Sequence, residues 1–262
     1  MKQLICIILL TIISCNNSPQ KESSSDNTIS DTSKSLPNTK INRYSDICWT
    51  GTIDEKIPVF IRYQLDSNLI IGEITYLNSK DKLPIPLLGL IEEDKSYMLM
   101  EFEKSGNISG IIRGYHTGEV FYGNWFSPEK RIEFVLNLVK KDTVINPLET
   151  ETKLEDVFGQ YHYQFSEEGN IGDFEITQLP DSKAIFEIGT VTEAPGRNMA
   201  EINKDTISLT ATHFVYSLPN TNDCEFEVKF YKGFAFIRYT KGYCEGQFGF
   251  NASIDGIFLK VN

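Results

Sequence analysis

The chain has few of the residues from which metal centres and nucleic-acid surfaces are built. Its 262 residues include three histidines and five cysteines, and its lysines and arginines form no cluster. A histidine-rich metal centre, a zinc-finger array and a nucleic-acid-binding surface are therefore poorly supported. The 36 acidic residues outnumber the 25 basic ones, giving a net charge of −11. This surplus disfavours anionic lipid and nucleic acid as partners and favours a cationic protein.

Recognisable catalytic motifs are also missing. The Gly-x-Ser-x-Gly, His-Glu-x-x-His, P-loop and dinucleotide-binding patterns do not occur. None of His116, His162 and His213 lies in a pattern typical of nucleophilic catalysis. We therefore predict a protein that is not an enzyme, with no catalytic residue, no metal and no cofactor. A hydrolase whose site is assembled from distant residues remains the alternative.

Two acidic runs could supply oxygen ligands to a hard cation. They are Glu92-Glu93-Asp94 and Glu149-Thr150-Glu151. Neither has the alternating ligand pattern of a dedicated calcium loop. We therefore interpret the first run as a hairpin tip and the second as part of a linker.

The amino-terminal segment, MKQLICIILLTIISC, is a short hydrophobic leader. Lys2 precedes a nearly continuous apolar run over residues 4–13. This run is too short to span a bilayer stably and is typical of a secretory signal peptide. The sequence Ile12-Ile13-Ser14-Cys15 resembles the lipobox of bacterial lipoproteins. That resemblance implies a signal peptide over 1–14 and a Cys15 that carries acyl chains such as palmitate, which anchor the protein permanently in a membrane.

The residues after the lipobox suggest where the protein resides. The resemblance to lipoproteins, with Asn16 after the cysteine, implies the cell envelope and there the outer membrane of a Gram-negative bacterium. Residues 15–43 are rich in serine and poor in apolar side chains, so we predict a flexible tether. Loss of Lys2 with the leader would leave 24 basic residues and a net charge of −12.

From residue 44 onward, short alternating apolar runs between Gly, Pro, Asn and Asp predict β-structure. Eight such runs lie near 45–53, 57–65, 69–77, 84–91, 96–103, 107–115, 119–126 and 131–140. Eight consecutive antiparallel strands can close into an up-and-down barrel, which leaves no exposed edge. We therefore predict an antiparallel β-barrel domain over 44–141, a meander with the topology of avidin- and lipocalin-type barrels.

Several short motifs within this region also recur elsewhere. They are Gly51-x-Ile53 followed by Pro58, Gly72-x-Ile74-x-Tyr76, Leu88-Gly89, Met100-Glu101-Phe102, Gly110-x-Ile112 and Gly123-Asn124-Trp125. Together they resemble a domain found in secreted and lipid-anchored bacterial proteins of uncharacterised function, and the resemblance brings no catalytic residue with it. Glycine inside a strand is typical of a bend or a close backbone approach, so the repeated Gly-x-Ile suits a strongly curved sheet.

The remaining residues predict a second β-domain. The polar stretch 142–155 contains Pro147 and lacks sustained alternation, so we interpret it as a linker. Seven to nine runs follow over 156–262, which suit a second barrel or a β-sandwich. The closing pattern, with Cys224, Cys244 and Asp255-Gly256, resembles the end of β-domains in bacterial envelope lipoproteins, some of them similar to lysozyme-inhibitor folds.

The cysteines that follow Cys15 suggest one disulfide. In an oxidising envelope we predict a bond between Cys224 and Cys244, which lie twenty positions apart on a hairpin and its return. Cys48, between Ile47 and Trp49, is predicted to be a buried free thiol rather than a nucleophile. A bridge from Cys48 to the second domain is the alternative.

Aromatic residues make up 12% of the chain and are the one group in surplus. We expect most of them in the cores, and name Tyr122 and Trp125 as candidate ligand-binding residues on opposite faces of one strand. The leading hypothesis is a binding or protective module, similar to an inhibitor or immunity protein, that takes a cationic protein partner. The alternative is a lipocalin-like carrier of a small apolar ligand, which requires a hollow first barrel of at least about 300 Å³.

Overall fold

The structure, a computed structural model, describes residues 46–143, 146–221 and 223–262. The predicted signal peptide, the predicted lipidation site Cys15 and the predicted tether lie outside the described residues. The described part consists of sixteen β-strands and two short 3₁₀ turns. No helix within it is long and apolar enough to cross a membrane.

The first eight strands form a closed antiparallel barrel. They are β1 (Ile47–Ile53), β2 (Ile57–Asp66), β3 (Leu69–Tyr76), β4 (Ile85–Ile91), β5 (Tyr97–Phe102), β6 (Ile108–Thr117), β7 (Val120–Ser127) and β8 (Ile132–Lys140). Each strand pairs with the next, and β1 also pairs with β8 from Trp49↔Lys140 to Ile53↔Leu136. Each of the eight predicted runs corresponds to one strand, and the predicted barrel is confirmed.

The interior of the barrel is filled by side chains that alternate along the strands. The fully buried members are Trp49, Ile53, Val59, Ile61, Tyr63, Ile70, Ile74, Leu87, Tyr97, Leu99, Ile112, Phe121, Leu136 and Leu138, and none is more than 6% exposed. A void of ligand size would leave solvent-accessible surface on these side chains. Their close packing therefore disfavours the small-ligand alternative, which stays a prediction without structural support.

Gly51 lies at the seam of the barrel, where β1 pairs with β8, and shows why this close approach needs a residue without a side chain. Gly51 in β1 lies opposite Leu138 in β8. A Cβ atom at Gly51 would lie 2.8 Å from the Leu138 Cα and closer still to the carbonyl oxygen of Asn137. Because those neighbours are backbone atoms, the seam strands can approach this closely only if residue 51 is glycine.

The other eight strands form a single antiparallel sheet. They are β9 (Gly159–Gln164), β10 (Ile171–Leu179), β11 (Lys183–Val191), β12 (Met199–Ser208), β13 (His213–Ser217), β14 (Glu225–Tyr231), β15 (Phe234–Lys241) and β16 (Gly256–Lys260). Their order is β12-β11-β10-β9-β16-β15-β14-β13. The rings of Phe186 in β11 and Phe214 in β13 lie 5.1 Å apart. Since these strands are near opposite ends of the order, the sheet must curl around its core.

The second sheet departs from the predicted runs in two places. Two runs, near 198–202 and 205–211, are one strand, β12, whose register with β11 shifts between Phe186 and Ile188. A β-bulge of this kind lets an edge strand continue where its apolar alternation breaks. The last run, 248–261, is a strand over Gly256–Lys260 only.

The segment between the two sheets contacts both of them. Residues 141–153 contain no helix or strand where the structure describes them. Arg62 Nη1 donates to the Asn146 carbonyl oxygen at 2.7 Å, and the Lys232 backbone N–H donates to the Thr150 carbonyl oxygen at 3.0 Å. The predicted linker region therefore lies along the barrel at one point and along the second sheet at another.

The three cysteines that the structure describes are arranged as predicted. Cys224 and Cys244 form a disulfide, with Cα atoms 4.2 Å apart. Cys48 is buried and free. Burial, followed by the nearby Asp46 carboxylate, raises the pKa of its thiol. A raised pKa opposes the thiolate form that a nucleophile needs.

The outer face of the barrel packs against the second sheet through an apolar group that we call the interface cluster. Its buried members are Leu69, Ile71, Leu88, Met100, Phe102, Ile108 and Ile111 from the barrel, and Tyr231, Phe234, Phe236, Ile257 and Leu259 from the sheet. Beside it, the Asp66 carboxylate accepts hydrogen bonds of 2.6 Å from both Lys229 Nζ and the Tyr231 hydroxyl. The two β regions are therefore joined by burial of apolar surface and by a polar bridge.

Candidate functional site

A buried carboxylate lies inside one end of the barrel. Glu101 is in β5, where alternation directs Tyr97, Leu99 and Glu101 inward and the intervening residues toward the interface cluster. Glu101 is only 1% exposed. A carboxylate buried to this degree must find hydrogen-bond donors, because desolvation of an unpartnered charge is costly.

Three neutral donors surround Glu101. The Tyr76 hydroxyl lies 2.9 Å from Oε1 and 3.0 Å from Oε2. Trp125 Nε1 donates to Oε1 at 2.7 Å, and the Ser109 hydroxyl donates to Oε2 at 3.4 Å. We call Glu101, Tyr76, Trp125 and Ser109 the Glu101 cluster.

Two backbone features of β6 make room for this cluster. Its register with β5 shifts after Glu101↔Gly110, so that Ser109 is an extra residue at a β-bulge. A Cβ atom at Gly110 would lie 2.8 Å from Glu101 Oε2 and closer to Trp125 Nε1. The glycine therefore leaves space for the indole to approach the carboxylate, and the bulge places the Ser109 hydroxyl beside it.

Burial dominates the electrostatics of the cluster. Desolvation raises the pKa of Glu101, and the hydrogen bonds from Trp125, Tyr76 and Ser109 oppose that rise in part. Burial and the neighbouring carboxylate also raise the pKa of Tyr76. Among the described residues no lysine, arginine or histidine forms an ion pair with Glu101. The negative charge of the ionised form is held by neutral donors alone.

Directly outside the cluster is an open cleft between the barrel and the second sheet, with a volume of about 790 Å³. Its charged side chains are Glu103, Glu129, Glu167, Glu168 and Arg131. We call it the acidic cleft. Arg131 Nη2 lies 3.6 Å from Glu168 Oε2, so the single arginine pairs with one of the four glutamates. Ser109 lines the cleft and also contacts Glu101, which places the buried carboxylate just behind the cleft wall.

The two aromatic residues named as ligand-binding candidates are not brought together. Tyr122 lies on the outer face of the barrel, opposite Tyr115, and is 54% exposed. Trp125 points inward, stacks on Phe134 with ring centroids 6.1 Å apart, and donates to Glu101. They lie on opposite faces of β7 and form no common site, and only Trp125 belongs to the Glu101 cluster.

The histidines occupy three separate places. His162 Nδ1 lies 2.8 Å from Asp173 Oδ1, His116 packs against the rings of Trp49 and Tyr97, and His213 lies on the edge strand β13. In the described ranges, no hydrogen bond joins any of them to both a carboxylate and a hydroxyl, the arrangement that the hydrolase alternative requires.

The acidic runs follow the interpretation given from sequence. Residues 92–94 form an exposed hairpin tip, where Asp94 accepts a hydrogen bond from the Ser96 backbone N–H at 2.8 Å. Glu149 pairs with Lys232. No group of three or more His, Cys, Asp or Glu side chains in the described residues is placed to hold a metal ion.

Sequence reasoning missed Glu101, Tyr76 and Ser109 as members of a site. One signal was present, since alternation in β5 places Glu101 on the same face as Tyr97 and Leu99. A charged residue at a core-facing position indicates a buried polar cluster. The motifs quoted for the resemblance contain Tyr76, Glu101, Gly110 and Trp125, all of which meet here.

Comparison of the chain with protein-family profiles, with curated protein sequences and with solved structures found no match in any of the three. The function of the chain is therefore inferred from the chemistry of its residues and from their arrangement.

Proposed function

We propose that this protein is a non-enzymatic, lipid-anchored binding module of the cell envelope that takes a cationic protein partner in the acidic cleft. The anchor at Cys15 and the location at the outer membrane rest on the lipobox resemblance. The binding role rests on the cleft and on the net charge of −11.

The observation that carries the proposal is the charge of the acidic cleft. Four glutamates and one arginine line an open space of about 790 Å³ with walls from both β regions. Glu103 and Glu129 come from the barrel, and Glu167 and Glu168 come from the turn after β9. A cleft lined by charges of one sign raises the local concentration of oppositely charged partners and speeds their association.

The Glu101 cluster supports a binding role more than a catalytic one. General acid–base or nucleophilic chemistry needs a second functional group beside the carboxyl, such as a base or an activated nucleophile. The side chains that contact Glu101 are a phenol, an indole and a serine hydroxyl, and none of them is hydrogen-bonded to a basic side chain of the described residues. The cluster therefore supports the cleft wall as a fixed polar core.

Binding of lysozyme to the full chain tests the proposal, because lysozyme is a cationic protein that attacks the cell envelope. We expect a Kd in the micromolar range or below at about 0.15 M salt, weakening as salt rises because the contact is electrostatic. Cytochrome c, a cationic protein without envelope activity, serves as a second probe that measures the contribution of charge alone.

Matched charge variants locate the contact. The quadruple variant Glu103→Gln, Glu129→Gln, Glu167→Gln, Glu168→Gln should weaken binding at least tenfold. A control with the same loss of charge away from the cleft, Glu55→Gln, Glu119→Gln, Glu175→Gln, Glu201→Gln, should change it little. Equal weakening in both variants would mean that net charge, and not the cleft, attracts the partner. Failure of both cationic proteins to bind the wild-type chain would reject the function.

The anchor has its own test. Cys15→Ser should abolish incorporation of labelled palmitate and move the protein from the membrane fraction to the soluble fraction of a Gram-negative host. Retention of label and of membrane association in the variant would contradict lipidation at Cys15.

A further inference from the structure

A second groove between the two β regions differs from the acidic cleft in having an apolar floor. It has a volume of about 350 Å³ and lies where β4 and β5 of the barrel meet β9, β11 and β16 of the sheet. We call it the methionine groove. Its floor is built from Met98, Met100, Phe165, Tyr163 and Ile257.

The rim of the methionine groove carries charge of one sign. Glu92, just after β4, and Asp255, just before β16, line it from the barrel and the sheet respectively. Neither carboxylate forms an ion pair with any described residue. Asp255 accepts a hydrogen bond from the Ser253 hydroxyl, which holds its side chain in place. The groove thus offers two carboxylates without a cation, one on each wall.

Tyr163 adds a polar group to the apolar floor. Its ring packs edge-to-face on Phe165 and on Phe258, with centroids 6.0 Å and 4.9 Å away. Its hydroxyl makes no hydrogen bond with the part of the chain that the structure describes. A mostly apolar floor with a few polar groups is the usual composition of a small-molecule site, and such sites are common between domains.

We propose that the methionine groove binds a small amphiphilic cation, an aromatic or alkyl body that carries one amine or guanidinium group. The body fits the floor, since methionine side chains adapt to varied shapes and contact aromatic rings favourably. The cationic group fits between Glu92 and Asp255, where complementary charge replaces some of its lost hydration. This site uses neither the glutamates nor the arginine of the acidic cleft, so it stands independently of the protein-binding function.

Three probes with one apolar body separate the contributions of shape and charge. They are 4-phenylbutylamine, 4-phenylbutan-1-ol and 4-phenylbutyrate, titrated into the full chain by calorimetry near neutral pH. We expect the amine to bind at least tenfold more tightly than the alcohol, and the carboxylate to bind more weakly than either. Equal affinity for the amine and the carboxylate, or binding of none of the three, would overturn the proposal.

Methionine methyl groups report where the amine binds. The chain has four methionines, of which Met98 and Met100 line the groove, whereas Met199 is exposed on β12. In a chain labelled with ¹³C-methyl methionine, the amine should shift the signals of Met98 and Met100 and leave Met199 unchanged. A shift of Met199 without shifts of the other two would place the ligand elsewhere and reject the groove.

Charge variants complete the test. Glu92→Gln with Asp255→Asn should reduce the affinity of the amine to that of the alcohol while leaving the alcohol unchanged. Glu129→Gln with Glu167→Gln, both in the acidic cleft, removes the same number of charges and is the matched control, which should affect neither ligand. An unchanged affinity of the folded double variant for the amine, with folding checked by tryptophan emission, would remove the carboxylates from the site.

Discussion

The two β regions each contain eight antiparallel strands, yet they close in different ways. In the barrel, β1 and β8 form a backbone ladder over five residue pairs. In the second sheet, the end strands β12 and β13 are not neighbours, and side chains join them instead. The Tyr216 hydroxyl in β13 donates to Asp205 Oδ2 in β12 at 2.6 Å, and Phe214 packs on Phe186.

This difference shows which interactions stabilise each region. A closed ladder satisfies the backbone donors and acceptors that an edge would expose. A curled sheet leaves its edge strands without a backbone partner, so here side-chain contacts join the two edges. A disulfide inside the sheet joins Cys224, just before β14, to Cys244, just after β15. We therefore expect loss of side-chain contacts to lower the stability of the second sheet most. In the barrel, we expect stability to depend most on the close approach of neighbouring backbones.

The largest expected effect comes from loss of the disulfide. Cys224→Ser with Cys244→Ser should lower the free energy of unfolding by about 3 kcal/mol, because a twenty-residue loop is no longer constrained in the unfolded chain. Circular dichroism reports on all strands, whereas both tryptophans, Trp49 and Trp125, lie in the barrel. Since the interface cluster couples the two regions, the urea midpoint should fall equally by both probes. A fall seen by circular dichroism alone would show that the barrel unfolds independently.

The next effect tests the backbone ladder. Gly51→Ala should destabilise the protein by about 2 kcal/mol, because its methyl group would overlap the backbone of β8 at the seam. Gly189→Ala in β11 is the matched control, since a Cβ atom there meets nothing within 4 Å. We expect that control to be neutral or to stabilise by up to about 1 kcal/mol through the unfolded chain. Both free energies of unfolding are measured with urea. Equal decreases in the two variants would contradict the explanation that the close approach of β1 to β8 at the seam causes the destabilisation.

A smaller effect tests the side-chain closure. Tyr216→Phe should cost about 1 kcal/mol at neutral pH through loss of its hydrogen bond to Asp205. That bond, with a second one from the Thr206 backbone N–H, lowers the pKa of Asp205, so its contribution is present above the ordinary pKa and is lost as pH falls through the lowered value. In the variant the pKa of Asp205, followed by NMR, should rise. Tyr122→Phe is the control. A Tyr216→Phe variant in which the pKa of Asp205 is unchanged would contradict the predicted effect of this hydrogen bond.

The smallest effect at neutral pH concerns Glu101, and its signature is the dependence on pH. Burial raises the folded-state pKa of this carboxyl above its ordinary value of 4.5, so the folded state binds the proton more tightly than the unfolded state. Its stability contribution is greatest below pH 4.5 and is lost as pH rises through the raised pKa. Glu101→Gln keeps the acceptor for Trp125 and removes the titration, so its stability relative to wild type should increase with pH.

Unfolding of Glu101→Gln followed by tryptophan emission between about pH 4.5 and 7.5 measures this effect. Glu129→Gln, on the exposed rim of the acidic cleft, is the control without a buried carboxyl. A relative stability of Glu101→Gln that is flat across this range would argue against the raised pKa of Glu101.

The alternation of apolar residues was sufficient to predict the barrel. Each strand from β1 to β8 has one face toward the core and is separated from the next by turn residues, so strand order follows chain order. The disulfide was predictable because it closes a local hairpin region. The join of the two runs into β12 was not, because an edge strand continues across polar residues when a bulge and a paired neighbour support it.

The Glu101 cluster shows how much of the candidate site could be predicted from the sequence. Alternation placed Glu101 on the inner face of β5 and separated Tyr122 from Trp125, but it did not indicate that Tyr76, Ser109 and Trp125 would meet Glu101. Those contacts join residues up to 25 positions apart through the closure of the barrel and the bulge at Ser109. No local spacing in the sequence encodes contacts between residues this far apart along the chain.

The sequence by itself determined the β class, the eight-strand meander, the disulfide and the acidic balance, because each depends on local periodicity or on composition. Only the tertiary structure decided that the barrel is filled, that its partner sheet curls, and that both cleft and groove arise where the two meet. These features depend on which side chains face one another after closure and docking, and burial of apolar surface between distant strands determines that.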